Sequence, residues 1–396
     1  MPVLAVIREL IIDHWGSAWN KWPNTDDTDF SAIRAAVHPA ICASSSGDLL
    51  QIDRYYYPAY CAYAQAGHLH LPAGLPIGYI DVRKPPDAKV LRAQLETIKQ
   101  YSQTCQSIRW RHGYQCYPEV SKELPGLFPI RILEFGDDCP GSSEHKTFPH
   151  AQYFNELIHN MYVWDFETGT RVSDKYKEHG LNSAHFVALC AASGTIAYAA
   201  EKGLTVEAKA DLLRSGNPLP YGLVYVGCSG WLNKYRQAFN TELFQRRAEF
   251  HAVGLATRFY GQGGPDGYLE PRMPPKGSGW TTAPLYWNAL LGHNYAISSI
   301  FNARLFDLWL SGVGQLIYDK NHELADFGAL PDEHYIAYNG TVDDLLRQAV
   351  AWSQDRSRLA DLIIRGRDKA REIMQTWSHE RAFRSIYFKY LKELGL

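Results

Sequence analysis

The chain has 396 residues, with 40 Lys and Arg against 42 Asp and Glu and a net charge of −2. That balance supplies no general positive field and disfavours DNA or RNA as a partner. The length suits two domains, and 46% hydrophobic with 21% charged residues is ordinary globular composition. Seven scattered cysteines with no C-x-x-C point to reduced thiols in a cytoplasmic protein, and away from a disulfide scaffold or a zinc site. No apolar run approaches the ~18 residues of a membrane span. The opening MPVLAVIRELIIDHW is interrupted by Arg8, Glu9 and Asp13 and does not read as a signal peptide.

In chain order, Leu4–Ile12 reads as strand or helix, since a short apolar run does not arbitrate. The aromatic loop from His14 to Pro23 caps a core or lines a pocket. Asp48–Asp53 reads as a strand. Arg54–Pro58 follows, either at the carboxyl end of that strand, where ligands of parallel sheets gather, or as a tyrosine-rich helix start. Pro85-Pro86-Asp87 open a helix with the stripe Leu91, Leu95 and Ile98, running to about Cys105. Ile130–Phe135, IRILEF, is short, apolar and bounded by proline and glycine, which predicts a buried strand. The loop after it carries Asp137 and Asp138. A carboxylate there can act as general base on an acceptor hydroxyl, while Asp, Pro and Gly also shape turns for purely local reasons. Tyr162–Phe166 reads as the next strand, and Thr168–Gly180 as turn and helix. Ala184–Lys202 is alanine-rich and stops at Gly203. Arg214–Gly222, RSGNPLPYG, has linker composition and sets an expected domain boundary between residues 215 and 216.

The second half opens with the strand Leu223–Val226 and the turn Gly227-Cys228-Ser229-Gly230. Lys234 and Arg236 lie just inside the following helix, which runs to about Ala252. A glycine turn that opens a helix bearing cations can cradle phosphate, although glycine turns end many strands. Leu255–Tyr260 is a strand, Gly261–Gly267 a flexible loop, and Pro271–Gly279 a connection or a cover. Tyr286–Asp319 reads as helix, turn, helix and buried strand. In its second helix Leu305, Leu308 and Trp309 share the apolar face, and Arg304, Asp307 and Ser311 the opposite one. Gly312 stops the helix before the strand Gln315–Tyr318. A cation and a carboxylate one turn apart near a helix start suit a ligand bearing phosphate and hydroxyls. The same spacing also describes a surface i,i+3 ion pair. Beyond it come a polar loop, the strand His334–Tyr338, and a helix capped by Thr341 with Asp343 and Asp344 in its first turn. A solvated amphipathic helix over Arg356–Gln375 and a last helix from about Ser378 complete the chain.

The run Arg304-Leu305-Phe306-Asp307-Leu308-Trp309-Leu310-Ser311-Gly312 resembles the donor-site segment of GT-B glycosyltransferases of the spore-maturation-protein type. There "R-x-F-E", a few apolar residues, a small residue and a glycine precede a buried strand, and the usual glutamate is Asp307 here. Gly366-Arg367-Asp368-Lys369-Ala370 and His379-Glu380-Arg381 resemble that family's closing "R-x-x-A" and "H-x-x-x-R" helices, and Gly227 through Arg236 its "V-G, small, then R". The resemblance spans about the last 170 residues fairly well and the first half only loosely. It implies a GT-B fold, with two Rossmann-like α/β domains facing a cleft: an acceptor domain over 1–215, a nucleotide-sugar domain over 216–377, and a terminal helix over 378–396 crossing back. It also implies transfer from a nucleotide-sugar to an acceptor hydroxyl, on a small molecule, a glycan or a protein, without metal or cofactor. The implied donor-binding residues are Ser229, Lys234, Arg236, Asn294, Arg304 and Asp307. Asp138 or Asp137 is the candidate catalytic carboxylate by its place in the loop after the strand Ile130–Phe135. A nucleotide-sugar epimerase of the same fold and a non-catalytic binding protein are the alternatives.

Overall fold

The structure is a computed structural model. It describes residues 9–14, 45–47, 73–74, 77–82, 88–103, 106–111, 118–135, 148–159, 171–187, 193–227, 234–261, 264–267, 282–296, 303–320, 322–377 and 379–395. The chain forms two compact units, residues 1–188 with 377–396, and residues 189–376.

The strands of the first unit are β1 (Glu9–His14), β2 (Ser45–Gly47), β3 (Ala73–Gly74), β4 (Ile77–Val82), β5 (Ser107–Arg111), β6 (Ile130–Phe135), β7 (Glu156–His159) and β8 (Ser183–Phe186). Six of them form an all-parallel sheet in the order β4-β1-β5-β6-β7-β8, and β2 and β3 pair antiparallel on their own. Its helices are α1 (Ala88–Ser102), α2 (Pro118–Leu127), α3 (Val172–Glu178) and, from the end of the chain, α12 (His379–Glu393). Parallel strands are covered on both faces, so they read as continuous apolar runs. Accordingly Ile130, Ile132 and Leu133 of β6 are fully buried. Trp110, Leu124, Phe128, Leu133, Phe154, Leu157 and Tyr176 form the core. Leu4–Ile12 is settled in its described part as strand. Asp48–Asp53, Arg54–Pro58 and Tyr162–Phe166 lie outside the described residues. The strand β7 stands just before Tyr162–Phe166, and Ser183–Phe186, overlapping the start of the alanine-rich stretch, is strand β8.

Helix α12 belongs to this unit through one buried carboxylate. Glu156 is wholly buried at the start of β7. Its Oε1 accepts from Lys389 Nζ (2.6 Å) and the Tyr390 hydroxyl (2.9 Å), and its Oε2 lies 2.7 Å from His185 Nε2. Burial opposes its charge, but the hydrogen bonds from His185, Lys389 and Tyr390 outweigh it and hold the carboxyl down at about 2. A depressed carboxyl stabilises the fold fully above its unfolded value, and the contribution is lost as pH falls from about 4 through about 2. Glu156→Gln should therefore cost about 2–3 kcal/mol at neutral pH and almost nothing near pH ~2. Urea denaturation at both pH values checks this, and an equal loss at both would show that the charge is not what matters.

The second unit holds α4 (Ser193–Lys202), α5 (Val206–Arg214), β9 (Tyr221–Val226), α6 (Lys234–Gln245), α7 (Arg247–Ala252) and β10 (Thr257–Tyr260). After these come α8 (Ala283–Trp287), β11 (Ala289–Ala296), α9 (Ala303–Leu310), β12 (Gly314–Asp319), β13 (Ile336–Ala337), α10 (Val342–Gln354) and α11 (Arg356–Thr376). Its sheet is parallel in the order β10-β9-β11-β12-β13. Both units are thus parallel-sheet α/β structures, the class expected.

Several expectations change here. The unit begins at Leu189, so α4 and α5, assigned by composition to the first domain, pack in the second. Arg367 of α11 pairs with Glu207 of α5. Residues 289–296 are a strand and not the first of two helices. Leu290, Leu291, His293, Asn294 and Tyr295 are all buried, so side chains on both faces are covered and the strand lacks the alternation that would mark it. The Gly261–Gly267 loop is tied down where described. Asp266 accepts from Phe259 N (2.8 Å) and Arg247 Nη2 (3.0 Å), and Gly261 N donates to Gly267 O (3.0 Å). Helix α11 is amphipathic as expected: Leu359, Leu362, Ile363, Arg367 and Ile373 are buried along one face. Thr341 caps α10 as expected, accepting from Asp344 N.

Candidate functional site

In a sheet whose chain order is 2-1-3-4-5, the first and third strands run to opposite sides, and ligands bind beyond their carboxyl ends. In the second unit those strands are β9 and β11. Helix α9 delivers Arg304 to this point. Its position follows from packing: Leu305, Phe306, Leu308 and Trp309 are buried, worth about 1.5–3 kcal/mol each. Trp309 Nε1 donates to His334 O (2.8 Å) and Gln315 Nε2 to Leu305 O (2.7 Å). Gly312 ends the helix with φ +60°, a conformation that costs glycine little.

The Arg304 guanidinium lies 5.1 Å from the centroid of the Tyr225 ring on β9, and its Nη1 donates to Asn294 Oδ1 on β11 (3.3 Å). The buried Tyr286 phenol on α8 meets it too. Burial raises that phenol above its usual range, while Arg304 pulls the other way by charge and hydrogen bond. Tyr225 is itself held, its hydroxyl accepting from Asn240 Nδ2 of α6 (3.0 Å). Gly227, just past β9, leaves the space the arginine fills. A Cβ there would overlap the guanidinium and lie 2.7 Å from the Tyr225 hydroxyl.

A second cation, Arg236, lies in the first turn of α6, and its charge reaches the same strand. His293, fully buried on β11 with Nε2 2.6 Å from the Tyr338 hydroxyl, is held well below its usual range by burial and then by the charges of Arg304 and Arg236. Two arginines from two different helices thus act on the carboxyl half of one strand at the switch point. Phe239, Tyr295 and Tyr318 stack in series beside it, at 4.3 and 5.3 Å between centroids.

Asp307 does not form the surface ion pair that its spacing from Arg304 allowed: no salt bridge joins the two among the described residues. Its Oδ1 accepts from Thr195 Oγ1 (2.7 Å), a buried hydroxyl on α4. Burial pushes this carboxyl up to about 7, against the hydrogen bond from Thr195 and the charge of Arg304. Ser311, on the same face, is buried rather than solvated.

The structure therefore gathers Arg236, Asn294, Arg304 and Asp307. Ser229, Asp137 and Asp138 lie outside the described residues, as does the side chain of Lys234, which begins α6. All seven cysteines are outside them too. Sequence reasoning missed Thr195, Tyr225 and Tyr286. Thr195 has no local signal, standing 112 residues from its partner, and Tyr286 was absorbed into an expected helix.

In the first unit, Ser183, His185 and Glu156 imitate a catalytic triad but are not one. Ser183 Oγ (3.2 Å) and Glu156 Oε2 (2.7 Å) both meet the same His185 nitrogen, whereas a triad uses opposite ones. The cluster also lies at the amino end of β7 and β8, away from the ligand end of a parallel sheet. Among the described residues, no group of three His, Cys, Asp or Glu is placed to hold a metal ion, and no helix is long and apolar enough to cross a membrane.

No family profile matches the chain, and no curated protein matches it. Similar solved structures include HepE of Anabaena in complex with UDP-glucose, with TM-score 0.47 and 10% identity over 94% of this chain and 99% of that one. The UDP-GlcNAc 2-epimerase of Methanocaldococcus jannaschii scores 0.40 at 10% identity, over 93% and 99%. MnaA of S. aureus, in a co-structure with UDP, scores 0.45 at 8% identity, over 96% and 97%. At these scores and identities the likeness carries no argument about activity or ligand.

Proposed function

We propose that the chain is a nucleotide-sugar-dependent glycosyltransferase of the GT-B type, related to the spore-maturation-protein group, and that its second unit holds the donor. The observation that carries this reading is the Arg304 guanidinium seated against the Tyr225 ring and Asn294 Oδ1 at the switch point, with the charge of Arg236 also bearing on the carboxyl half of β11. Ligands of parallel sheets gather there, and Arg304 forms no salt bridge among the described residues. In this reading the two arginines meet the donor diphosphate and Asp307 takes the ribose. Cleavage of the anomeric C–O bond leaves negative charge on the diphosphate, and preorganised cations at that position stabilise it. The acceptor oxygen bonds to the anomeric carbon and gives its proton to a base, the role proposed for Asp138 or Asp137. The first unit serves the acceptor.

Calorimetric titration with UDP, GDP and dTDP, followed by their sugar conjugates, tests the reading. One of the three should bind with a micromolar Kd. Sugar turnover with no acceptor present would make the protein an epimerase instead. Failure of all three to bind at millimolar concentration would leave a non-enzymatic protein on an inherited scaffold.

A further inference from the structure

Helix α5 carries a lysine that no feature of the site so far requires. Lys209 is 4% exposed, and among the described residues it pairs with no carboxylate. Its Nζ donates to two backbone oxygens, Tyr286 O and Ser311 O, each at 3.0 Å, and stands 5.8 Å from the centroid of the Trp287 ring. Tyr286 lies in the last turn of α8 and Ser311 one residue past α9. The carbonyls at a helix end lack intrahelical partners and carry partial negative charge. Two such ends replace a counterion here, and burial alone pushes the amine well below its usual range. Helix α5 is itself anchored. Thr205 caps it, accepting from Ala208 N (3.1 Å), and Glu207 pairs with Arg367. Val206 packs so closely on Gly312 that a Cβ there would lie 2.9 Å away.

The two helix ends that Lys209 joins belong to the helices that bring Tyr286 and Arg304 together. A hydrophobic side chain of similar volume would stabilise a buried place like this at least as well as a lysine with no carboxylate partner. What the lysine adds is geometry, because its Nζ holds two carbonyls at a set separation. We propose that Lys209 is a positioning residue, which fixes the end of α9 against α8 and so holds Arg304 where the donor diphosphate binds. The diphosphate part of this rests on the proposed function; the positioning of α9 does not.

The test uses the full chain with Lys209→Met, and with Lys209→Gln, which keeps an N–H donor without the charge. Hydrogen exchange without ligand should quicken about tenfold in Lys209→Met at Ser311, Gly312 and Val313, with β9 and β12 unchanged. Affinity for whichever of UDP, GDP or dTDP the parent binds should fall about tenfold, while affinity for the matching nucleoside, which offers Arg304 no phosphate, stays the same. Lys209→Gln should recover part of both, and carries the comparison alone if the methionine variant does not fold. Unchanged exchange at the α9 end overturns the proposal. So does an equal loss for diphosphate and nucleoside with faster exchange throughout the unit, which marks a merely structural role. If the parent binds no nucleotide, the donor reading falls, and the local exchange result decides the positioning role by itself.

Discussion

Asp307→Asn is expected to make the protein more stable at about pH 8 and to leave its stability nearly unchanged below about pH 4. The physical origin is the raised carboxyl. In the folded chain Asp307 titrates at about 7 instead of 3.8, so between those values the native state holds a proton that the unfolded state has released. Stability then declines as pH rises through that window, and the full penalty is present above it. Three pKa units correspond to about 4 kcal/mol, and the part of Asp307 that reaches solvent reduces this to about 2–3 kcal/mol. Asparagine keeps the shape and an acceptor for Thr195 but sheds the charge. Thermal unfolding at the two pH values measures the effect, and an equal midpoint for parent and variant at about pH 8 would remove the buried-charge account. If Asp307 takes the donor ribose, the same variant should lose affinity roughly ten- to a hundredfold, because hydrogen bonds to a charged group contribute about 1.5–3 kcal/mol. Stability gained with binding lost is the pattern expected of a group retained for function.

Arg304→Ala should reduce binding of the donor nucleotide roughly ten- to a hundredfold, with the loss concentrated in the phosphate-bearing part of the ligand. The guanidinium is held on three sides, by the Tyr225 ring, Asn294 Oδ1 and the Tyr286 phenol. Little conformational entropy therefore remains to be lost on binding. The fold should survive, since α9 is anchored by Leu305, Phe306, Leu308 and Trp309, though Asn294 loses a donor at a cost of about 1 kcal/mol. Calorimetry read alongside circular dichroism separates the two effects. A folded Arg304→Ala that binds nucleotide as tightly as the parent would leave the arginine a structural role only, and the anion site would have to be sought elsewhere in the unit.

Much of the second unit follows from local sequence. The strands over 221–226 and 314–319, the helix over 303–310, its stop at Gly312 and the cap at Thr341 all rest on contacts within a few residues: periodicity, a permissive glycine, a side-chain oxygen at a helix start. The sequence also placed Arg304 and Asp307 on one face of one helix, because the 3.6-residue repeat depends on nothing outside that helix.

What those two residues do was decided by the tertiary structure. Whether an i,i+3 pair joins in solvent or separates depends on what else arrives. Thr195 takes the carboxylate from 112 residues away, and Tyr225, Asn294 and Tyr286 take the guanidinium from three other elements. The strand over 289–296 is not legible in the sequence for the same reason. Burial on both faces removes the alternation that marks a strand, and only its neighbours β9 and β12 show that it lies inside a sheet. The unit boundary at residue 188 rather than 215 has the same origin. Linker composition is a local property, whereas the allegiance of α5 is set by Glu207 meeting Arg367 and by the Lys209 ammonium between two helix ends, contacts between residues far apart in the chain.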